Sequence, residues 1–205
     1  MIDKVQKDPI FKNIFAESWN DLPPVMKKHY ANYPYSDDIT VVDGILDFSC
    51  SGPIKWFAPL FWLMNGIPPL NETNVPVSVS FESDKNSNAF HFNRVFHFNN
   101  RKPYHFRSKM IQTKGNEVIE VMRFGFCWKM NYLWEENRVM LKHKGYLFKL
   151  FKFHIPIPIE FILGKGYAEE VAVDDKTFEM QVNISHPLWG EIYRYTGRFV
   201  VKQES

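Results

Sequence analysis

Two strand-like stretches each carry one charged residue on an otherwise apolar face. Side chains alternate between the two faces of a strand, so every second residue meets the same environment. The two faces read Phe90, Phe92, Arg94, Phe96, Phe98 in one stretch and Val118, Glu120, Met122, Phe124, Phe126, Trp128, Met130, Tyr132, Trp134 in the other. An ion without a partner is costly there, so Arg94 and Glu120 are expected to pair or to face a polar ligand. A guanidinium group suits carboxylate or phosphate oxygens, which makes anion binding the chemistry to consider.

Turn lengths predict that these charges lie on neighbouring strands. If the first hairpin turns at residues 99–103, Arg94 lies opposite Ser108. If the second turns through a three-residue loop that ends at Gly115, Ser108 lies opposite Glu120. The three side chains then form a row across three strands, whose outer backbones are roughly 10 Å apart and within side-chain reach. A shift of one residue would turn Glu120 to the other face.

Two interpretations of this row remain open. Buried Arg/Glu pairs often fix the arrangement of a sheet without touching a ligand. Alternatively, Arg94 holds the anionic head of a small amphipathic or acyl-type molecule, while Ser108 and Glu120 orient its side chain.

Further residues extend the predicted ligand site. Its apolar part is expected to be lined by Phe96, Trp128 and Tyr132. Glu169 and Tyr195 are expected either to join the charged row or to be a surface carboxylate and a barrel-wall phenol.

Three histidines, His91, His97 and His105, invite a metal-site interpretation. His91 and His97 are six residues apart, about 20 Å along a strand, so they cannot share an ion. His97 and His105 lack a third ligand. Phosphate-loop, dinucleotide-binding and nucleophile-elbow motifs are absent from the sequence. The sequence therefore gives no reason to expect a metal, a cofactor or nucleophilic catalysis.

Composition favours a globular domain with a strongly aromatic interior. The 205 residues suit one domain, 1–205, and 17% of them are aromatic, including 19 Phe. The net charge is only +2 and the basic residues are dispersed, so nucleic acid is not expected as a partner. The basic stretch from Lys142 to Lys152 is expected to be a solvated strand edge rather than a membrane contact. The charged amino terminus and two cysteines, expected as buried free thiols at Cys50 and Cys127, favour a cytoplasmic protein.

Periodicity predicts a mainly β fold with helices at its beginning. Residues 1–35 form a predicted helical segment that Pro23-Pro24 divides, and 53–66 a predicted apolar capping helix, too short to span a bilayer. Consecutive strands with one apolar face favour an antiparallel β-barrel or strongly curled sheet. Gly125 is expected as a bend inside the longest strand. Strands are predicted at 39–49, 75–83, 88–98, 103–112, 116–134, 138–148, 165–174, 177–185 and 190–202, with an extended segment and a helical turn between 153 and 164.

The order of these features resembles the bacterial domain-of-unknown-function 4166 family across nearly the whole chain. The residues that carry the resemblance are Trp19, Leu22-Pro23, His29-Tyr30, Gly44, Pro68, Pro76-Val77, Phe92-x-Arg94-x-Phe96, Phe106-x-Ser108, Glu120, Phe126, Gly145, Ile157-Pro158, Glu169, Phe178, Gly190 and Tyr195-x-Gly197. The family's arginine strand usually reads Trp-x-Arg-x-Phe, and here Phe92 replaces the tryptophan. The resemblance implies a stand-alone copy of a module that elsewhere can follow nucleotide-binding dehydrogenase-like domains, and it implies no known activity.

Three function classes follow from these observations. The first is the binding of a small amphipathic molecule inside the barrel. The second is an isomerase, cyclase or decarboxylase with Glu120 or Glu169 as general base and Arg94 as anion clamp. The third is an interaction module for a dehydrogenase-like partner, which requires an exposed apolar patch. Candidates for that patch are Phe15, Trp19, Trp56 and Trp62.

Overall fold

One antiparallel sheet dominates residues 8–202, the part of the chain that the computed structural model describes. Ten strands close into a barrel in the order β6-β5-β4-β3-β2-β1-β11-β10-β9-β7, because β7 pairs with β6 again, and β8 pairs with β7 outside this ring. The predicted antiparallel barrel is confirmed. The strands are β1 (Ile39–Cys50), β2 (Glu72–Ser83), β3 (Phe90–Phe96), β4 (Tyr104–Lys114), β5 (Glu117–Val121), β6 (Phe126–Glu135), β7 (Arg138–Leu150), β8 (Phe153–Ile157), β9 (Lys165–Ala172), β10 (Thr177–His186) and β11 (Gly190–Val201).

The predicted strand over 116–134 is wrong, because the chain reverses direction in its middle. β5 and β6 are two antiparallel strands joined by a short 3-10 turn at Arg123–Gly125. Phe124 and Gly125 both have left-handed backbone conformations, with φ of 58° and 81°, and Met122 N–H donates to Phe126 O at 2.8 Å. Two consecutive left-handed residues produce a tight reversal rather than a bend within one strand. The reversal keeps the alternation of faces, so Glu120 and Trp128 are directly paired.

Amino-terminal helices fill one end of the barrel, which we call the plugged end. They are α1 (Ile10–Phe15), a 3-10 turn (Ala16–Asp21) and α2 (Pro24–His29), and residues 1–7 of the predicted segment lie outside the described residues. Pro at the first position of α2 starts a new helix, as predicted. The buried apolar side chains of this segment are Ile10, Phe11, Ile14, Phe15, Leu22, Val25 and Met26.

The predicted exposed patch at Phe15 and Trp19 is wrong. Phe15 is buried and Trp19 packs against the core. The ring of Phe11 lies 5.0 Å from the ring of Phe90 on β3 and 5.4 Å from that of Tyr132 on β6, so α1 inserts into the barrel interior. Burial of this apolar surface is what holds the short helices in place, since helices of this length are marginal alone.

The opposite end of the barrel, which we call the rim end, carries the other short helices. The predicted 53–66 helix is two pieces, α3 (Gly52–Trp56) and α4 (Ala58–Met64), which Asn65 ends in a left-handed conformation. No helix within residues 8–202 is long and apolar enough to cross a bilayer. The rim end consists of segments 51–71, 97–103, 122–125, 151–164 and 187–189.

The wall of the barrel has a gap near the rim end, because β7 changes partners along its length. Its first half pairs with β9 as far as Lys142↔Tyr167, and its last residues pair with β8 instead. Helix α5 (Glu160–Leu163), the predicted helical turn, follows β8 beside this gap. Tyr146 Oη donates to Gly164 O at 3.0 Å and so fixes the end of α5 to the wall.

Candidate functional site

Arg94, Ser108 and Glu120 meet inside the barrel, although not in the predicted register. Arg94 is opposite Phe106 and Glu120 is opposite Met110, so each hairpin differs from the prediction by two residues. A shift of two residues leaves every side chain on its original face, so the three groups still face the interior and meet diagonally. Arg94 Nη2 donates to Ser108 Oγ at 3.2 Å and to Glu120 Oε1 at 2.5 Å, and Ser108 Oγ donates to Glu120 Oε1 at 2.6 Å.

The guanidinium group of Arg94 lies between two aromatic rings. Its Cζ is 3.8 Å from the centroid of Phe92 and 4.0 Å from that of Phe106, and the residue is only 6% exposed. Both rings offer their negative faces to the cation, which stabilises it without satisfying its hydrogens. Nε and Nη1 are buried and have no hydrogen-bond acceptor among residues 8–202. A buried donor in this state carries a desolvation cost that an additional acceptor would remove.

Arg94 and Glu120 border a cavity of about 130 Å³ in the barrel interior. Its lining combines aromatic and aliphatic side chains with a small number of polar groups, which is typical of sites for small molecules. The residues that line it are His29, Tyr30, Phe61, Met64, Gly66, Ile67, Phe81, Phe92, Arg94, Phe106, Met110, Glu120, Met122, Phe126, Trp128, Tyr132, Leu141, Tyr146, Leu163, Gly166, Ala168, Glu170, Met180, Val182, Asn183, Ile184 and Tyr195.

A second polar cluster borders the same cavity from the plugged end. Tyr30 Oη donates to Glu170 Oε2 at 2.5 Å, and His29 Nε2 lies 3.7 Å from the same oxygen. All three residues are buried, and neither ring nitrogen of His29 has a hydrogen-bond partner among the described residues. Burial, together with the Glu170 carboxylate, raises the pKa of Tyr30 far above its ordinary value, so the phenol stays a proton donor. No sequence pattern indicates this cluster as a site, although His29-Tyr30 is among the residues that carry the family resemblance.

Two further phenols, Tyr132 and Tyr195, line the same cavity as the charged groups of the interior. Burial raises the pKa of both, and for Tyr132 the carboxylates of Glu170 and Glu120 add to the shift while Arg94 opposes it. Tyr132 therefore senses both carboxylates, which places the two polar clusters within electrostatic range of each other.

Glu169 does not join the interior network, and of its two expected positions the structure has the surface carboxylate. Its carboxylate lies on the outer face of β9, where it accepts hydrogen bonds from Arg138 Nη1 at 3.2 Å and Tyr167 Oη at 2.8 Å. Its neighbour Glu170 faces the interior instead. The outward face of β9 carries Tyr167 and Val171, whereas the smaller Ala168 faces inward. A prediction that turns the larger apolar residues inward therefore assigns the two faces of β9 the wrong way round.

The other predicted residues divide between the cavity and the core. Trp128, Tyr132 and Tyr195 line the cavity, and Ser108 contributes through its hydrogen bonds to Arg94 and Glu120. Phe96 does not line the cavity, because its ring packs against other rings near the rim end, at 5.5 Å from Phe48 and 5.9 Å from Phe98.

Trp128 also anchors α5 through a histidine. Trp128 Nε1 donates to His143 Nδ1 at 2.8 Å, and His143 Nε2 lies 3.1 Å from Glu160 Oε1. An indole can only donate, so Nδ1 must be unprotonated and Nε2 carries the hydrogen that Glu160 accepts. Burial lowers the pKa of His143 against the opposing effect of Glu160, which agrees with this neutral form.

Metal ligation has no arrangement to support it in the described part of the chain. No group of three or more His, Cys, Asp or Glu side chains within residues 8–202 could hold a metal ion. Cys50 and Cys127 are both buried and free.

Comparison with known proteins identifies a family over most of the chain. The model of a family described as Domain of unknown function (DUF4166) matches residues 22–199. No curated protein matches the chain. Among solved structures, the dehydratase domain of the polyketide PpsC from Mycobacterium tuberculosis is similar over 88% of this chain and 81% of that chain, with 6% identity and a TM-score of 0.19. A likeness this weak carries no argument about function.

Proposed function

We propose that this chain, which belongs to the DUF4166 family, binds a compact anionic molecule inside its barrel. The observation that carries the proposal is the state of Arg94, a buried cation that borders the cavity. Two of its nitrogens, Nε and Nη1, have no hydrogen-bond acceptor among the described residues. An anionic oxygen of a ligand would accept these hydrogens, and such charge-assisted bonds are stronger than neutral ones.

The Arg94 side chain is held ready for such a ligand. Glu120 and Ser108 both bond to Nη2, and the rings of Phe92 and Phe106 restrict the guanidinium plane. A group that is already fixed loses little further entropy on binding, so more of the interaction free energy remains as affinity. In this proposal Glu120 positions Arg94 and does not act as a base.

The size of the cavity narrows the ligand class. A cavity of about 130 Å³ is close to the roughly 150 Å³ that holds a benzene-sized molecule in another protein. This volume favours a short carboxylic acid with a small apolar body over a long acyl chain. Trp128, Tyr132 and Tyr195 line the cavity with Arg94, so they would contact the bound molecule.

Thermal unfolding with matched small molecules tests this proposal. Hexanoate and phenylacetate should raise Tm, whereas hexanol, which has the same number of carbon atoms as hexanoate without the charge, should raise it much less. The double variant Arg94→Met/Glu120→Gln removes both buried charges, so it should fold and lose the preference for the acid.

Two results would contradict the proposal. One is an equal Tm shift with hexanoate and hexanol in the unmodified protein. The other is a preference for the acid that persists in the folded double variant. Native mass spectrometry of the protein purified from its own host provides a second readout, because a retained small acid should dissociate on denaturation.

A second candidate, an acid–base enzyme, rests on His29 and Glu170. Glu170 lies on β9, across the barrel from Arg94 on β3, and His29 borders the same cavity from α2. Both nitrogens of His29 are free of hydrogen bonds within residues 8–202. Glu120 is engaged by Arg94 and Ser108, and Glu169 lies outside, so neither serves as the base in this version. A neutral imidazole that meets a bound carbonyl compound could remove a proton from the adjacent carbon.

Proton exchange separates the two candidates. Levulinate carries both a carboxylate for Arg94 and a ketone, and its C–H exchange in D2O can be followed by NMR. Exchange that is accelerated by the protein and lost in His29→Gln would favour the enzyme. Binding of levulinate without accelerated exchange would reject this chemistry and leave the binding function.

A further inference from the structure

The rim end presents a cluster of large apolar side chains to solvent. Phe151 is 86% exposed, Phe161 80%, Leu188 79% and Trp56 74%. The exposed apolar residues of these segments, which we call the apolar rim, are Trp56, Phe57, Leu60, Leu63, Phe124, Phe151, Phe153, Ile155, Phe161, Ile162, Leu188 and Trp189. Exposed apolar residues are normal when scattered, but a large group gathered at one end of a barrel marks an interaction surface.

Contacts between the segments show that the apolar rim is continuous on the side of α4 and β7. Arg123 Nη1 donates to Leu63 O at 3.0 Å, which joins the β5–β6 turn to α4. The same turn lies against the end of β7, since a side chain at Gly125 would begin 2.6 Å from Lys149 O.

The rim also continues on the side of α5 and β11. His186 Nε2 lies 2.7 Å from Phe161 O, and the ring of His186 stacks on that of Trp189 at 4.1 Å. Ser51 N–H donates to Ile192 O at 2.9 Å, which brings the start of α3 next to the β10–β11 turn.

Charge is distributed unequally between the two ends of the barrel. The charged residues of the rim-end segments are Lys55, Arg101, Lys102, Arg123, Lys152 and Glu160. Those of the plugged-end loops (31–38, 84–89, 115–116, 136–137 and 173–176) are Asp37, Asp38, Asp84, Lys85, Glu136, Asp174, Asp175 and Lys176. Residues 8–30 at the plugged end add three acidic and three basic residues, so the small net charge of +2 conceals a mostly cationic rim end and a plugged end with more acidic than basic residues.

We propose that the rim end docks on the surface of an anionic lipid bilayer. The aromatic and aliphatic side chains would enter the interface between head groups and acyl chains, where such residues are favourable. The five cations would lie near the negative head groups, and the acidic end would point away from them. A protein partner would also cover the apolar side chains. An anionic bilayer matches both features of the rim end, because its acyl chains are apolar and its head groups are negative.

This docking would place the cavity next to the bilayer. Phe61 and Met64 of α4 and Leu163 of α5 line the cavity, and their neighbours Leu60, Leu63 and Ile162 belong to the apolar rim. The inference does not depend on the proposed function, because vesicle binding is measured without any cavity ligand. The Arg94→Met/Glu120→Gln variant should therefore bind vesicles as well as the unmodified protein does.

Vesicle co-sedimentation tests the docking. Vesicles of phosphatidylcholine with 30% phosphatidylglycerol should retain the protein, vesicles of phosphatidylcholine alone should retain it at least tenfold less, and added salt should weaken the binding. Phe151→Ser/Phe161→Ser and Lys55→Glu/Lys152→Glu should each reduce binding to anionic vesicles at least tenfold. These positions are exposed, so the variants should keep the fold.

A matched control lies at the plugged end. Val173→Ser/Lys176→Glu makes the same kinds of change at exposed positions there and should leave vesicle binding unchanged. Equal loss in this control, or no sedimentation with anionic vesicles, would overturn the proposal. So would a stable dimer in light scattering that Phe151→Ser/Phe161→Ser dissociates, because the rim would then be an interface between two copies of the chain.

Discussion

The two ends of the barrel use apolar residues in opposite ways. At the plugged end, α1 and α2 bury Phe11, Ile14 and Met26 inside the barrel, and the loops around them are mostly acidic. At the rim end, α4 and α5 have no buried side chain among their described residues, and the loops are mostly basic. Both ends are capped by short helices, so the presence of an apolar helix does not by itself indicate a core.

The two helical segments also differ in how their apolar residues are spaced. In residues 10–29 they recur at helical intervals, which gives one face to bury. In α4, with the sequence Ala-Pro-Leu-Phe-Trp-Leu-Met, they occupy every side of the helix, so a helix that lies on a surface must leave part of them exposed.

The largest expected effect on stability comes from shortening an apolar side chain at the plugged end, and the same change at the rim end is its comparison. Phe11→Ala should cost about 3–5 kcal/mol of unfolding free energy, because the ring contacts Tyr30, Phe90 and Tyr132 inside the barrel. Phe151→Ala at the rim should change stability by less than about 0.5 kcal/mol. Urea unfolding followed by circular dichroism measures both. Similar losses for the two variants would show that the rim residue is part of a core.

Between the two ends, the buried ion pair gives a second large effect. Arg94→Met should cost about 3–5 kcal/mol, because it leaves the Glu120 carboxylate buried without its partner. Arg94→Met/Glu120→Gln should recover most of that loss, since no charge then remains to be desolvated. The double-mutant cycle is measured by urea unfolding. If the two single changes simply add, the pair is not coupled as the geometry requires.

The face of each strand that points inward could be predicted from the sequence, whereas the register between neighbouring strands could not. Alternation identified Arg94 and Glu120 as interior residues, and both are. The register was wrong by two residues at each hairpin, because turn length was inferred from composition and the β4–β5 pairing contains an irregularity between Gln112 and Lys114. The interior contacts survived because an even shift preserves the face.

Face prediction failed where the apolar signal was inverted. On β9 the larger apolar residues face outward, so the pattern made Glu169 rather than Glu170 a candidate for the interior. The sequence also does not predict which helical segment fills the barrel. No local pattern shows that Phe15 packs within the barrel and Trp56 does not. Which end is filled is decided by long-range packing rather than by propensity.

The plugged end is tied to the barrel wall by a buried hydrogen bond, which gives an intermediate effect. Tyr30→Phe keeps the ring but removes the donor to Glu170, so it should cost about 1–3 kcal/mol. Tyr167→Phe is the matched control, because it removes a similar bond to Glu169 on the outer face, where water replaces the donor. Urea unfolding should show a clearly larger loss for Tyr30→Phe, and equal losses would contradict the burial argument.

The rim end has a corresponding contact, in which Trp128, His143 and Glu160 hold α5 to the barrel wall. Its effect on stability should be the smallest of those considered and should depend on pH. Burial lowers the pKa of His143 in the folded protein below its ordinary value of 6.5, so the unfolded chain binds a proton more readily. The contribution of His143 to stability is therefore complete above about pH 6.5 and declines as the pH falls below it. A protonated Nδ1 would also oppose the indole donor of Trp128.

Urea unfolding between pH 7.5 and pH 5 should show a decline in stability that is smaller in His143→Gln than in the unmodified protein. A decline of the same size in both would mean that protonation of His143 does not loosen the rim.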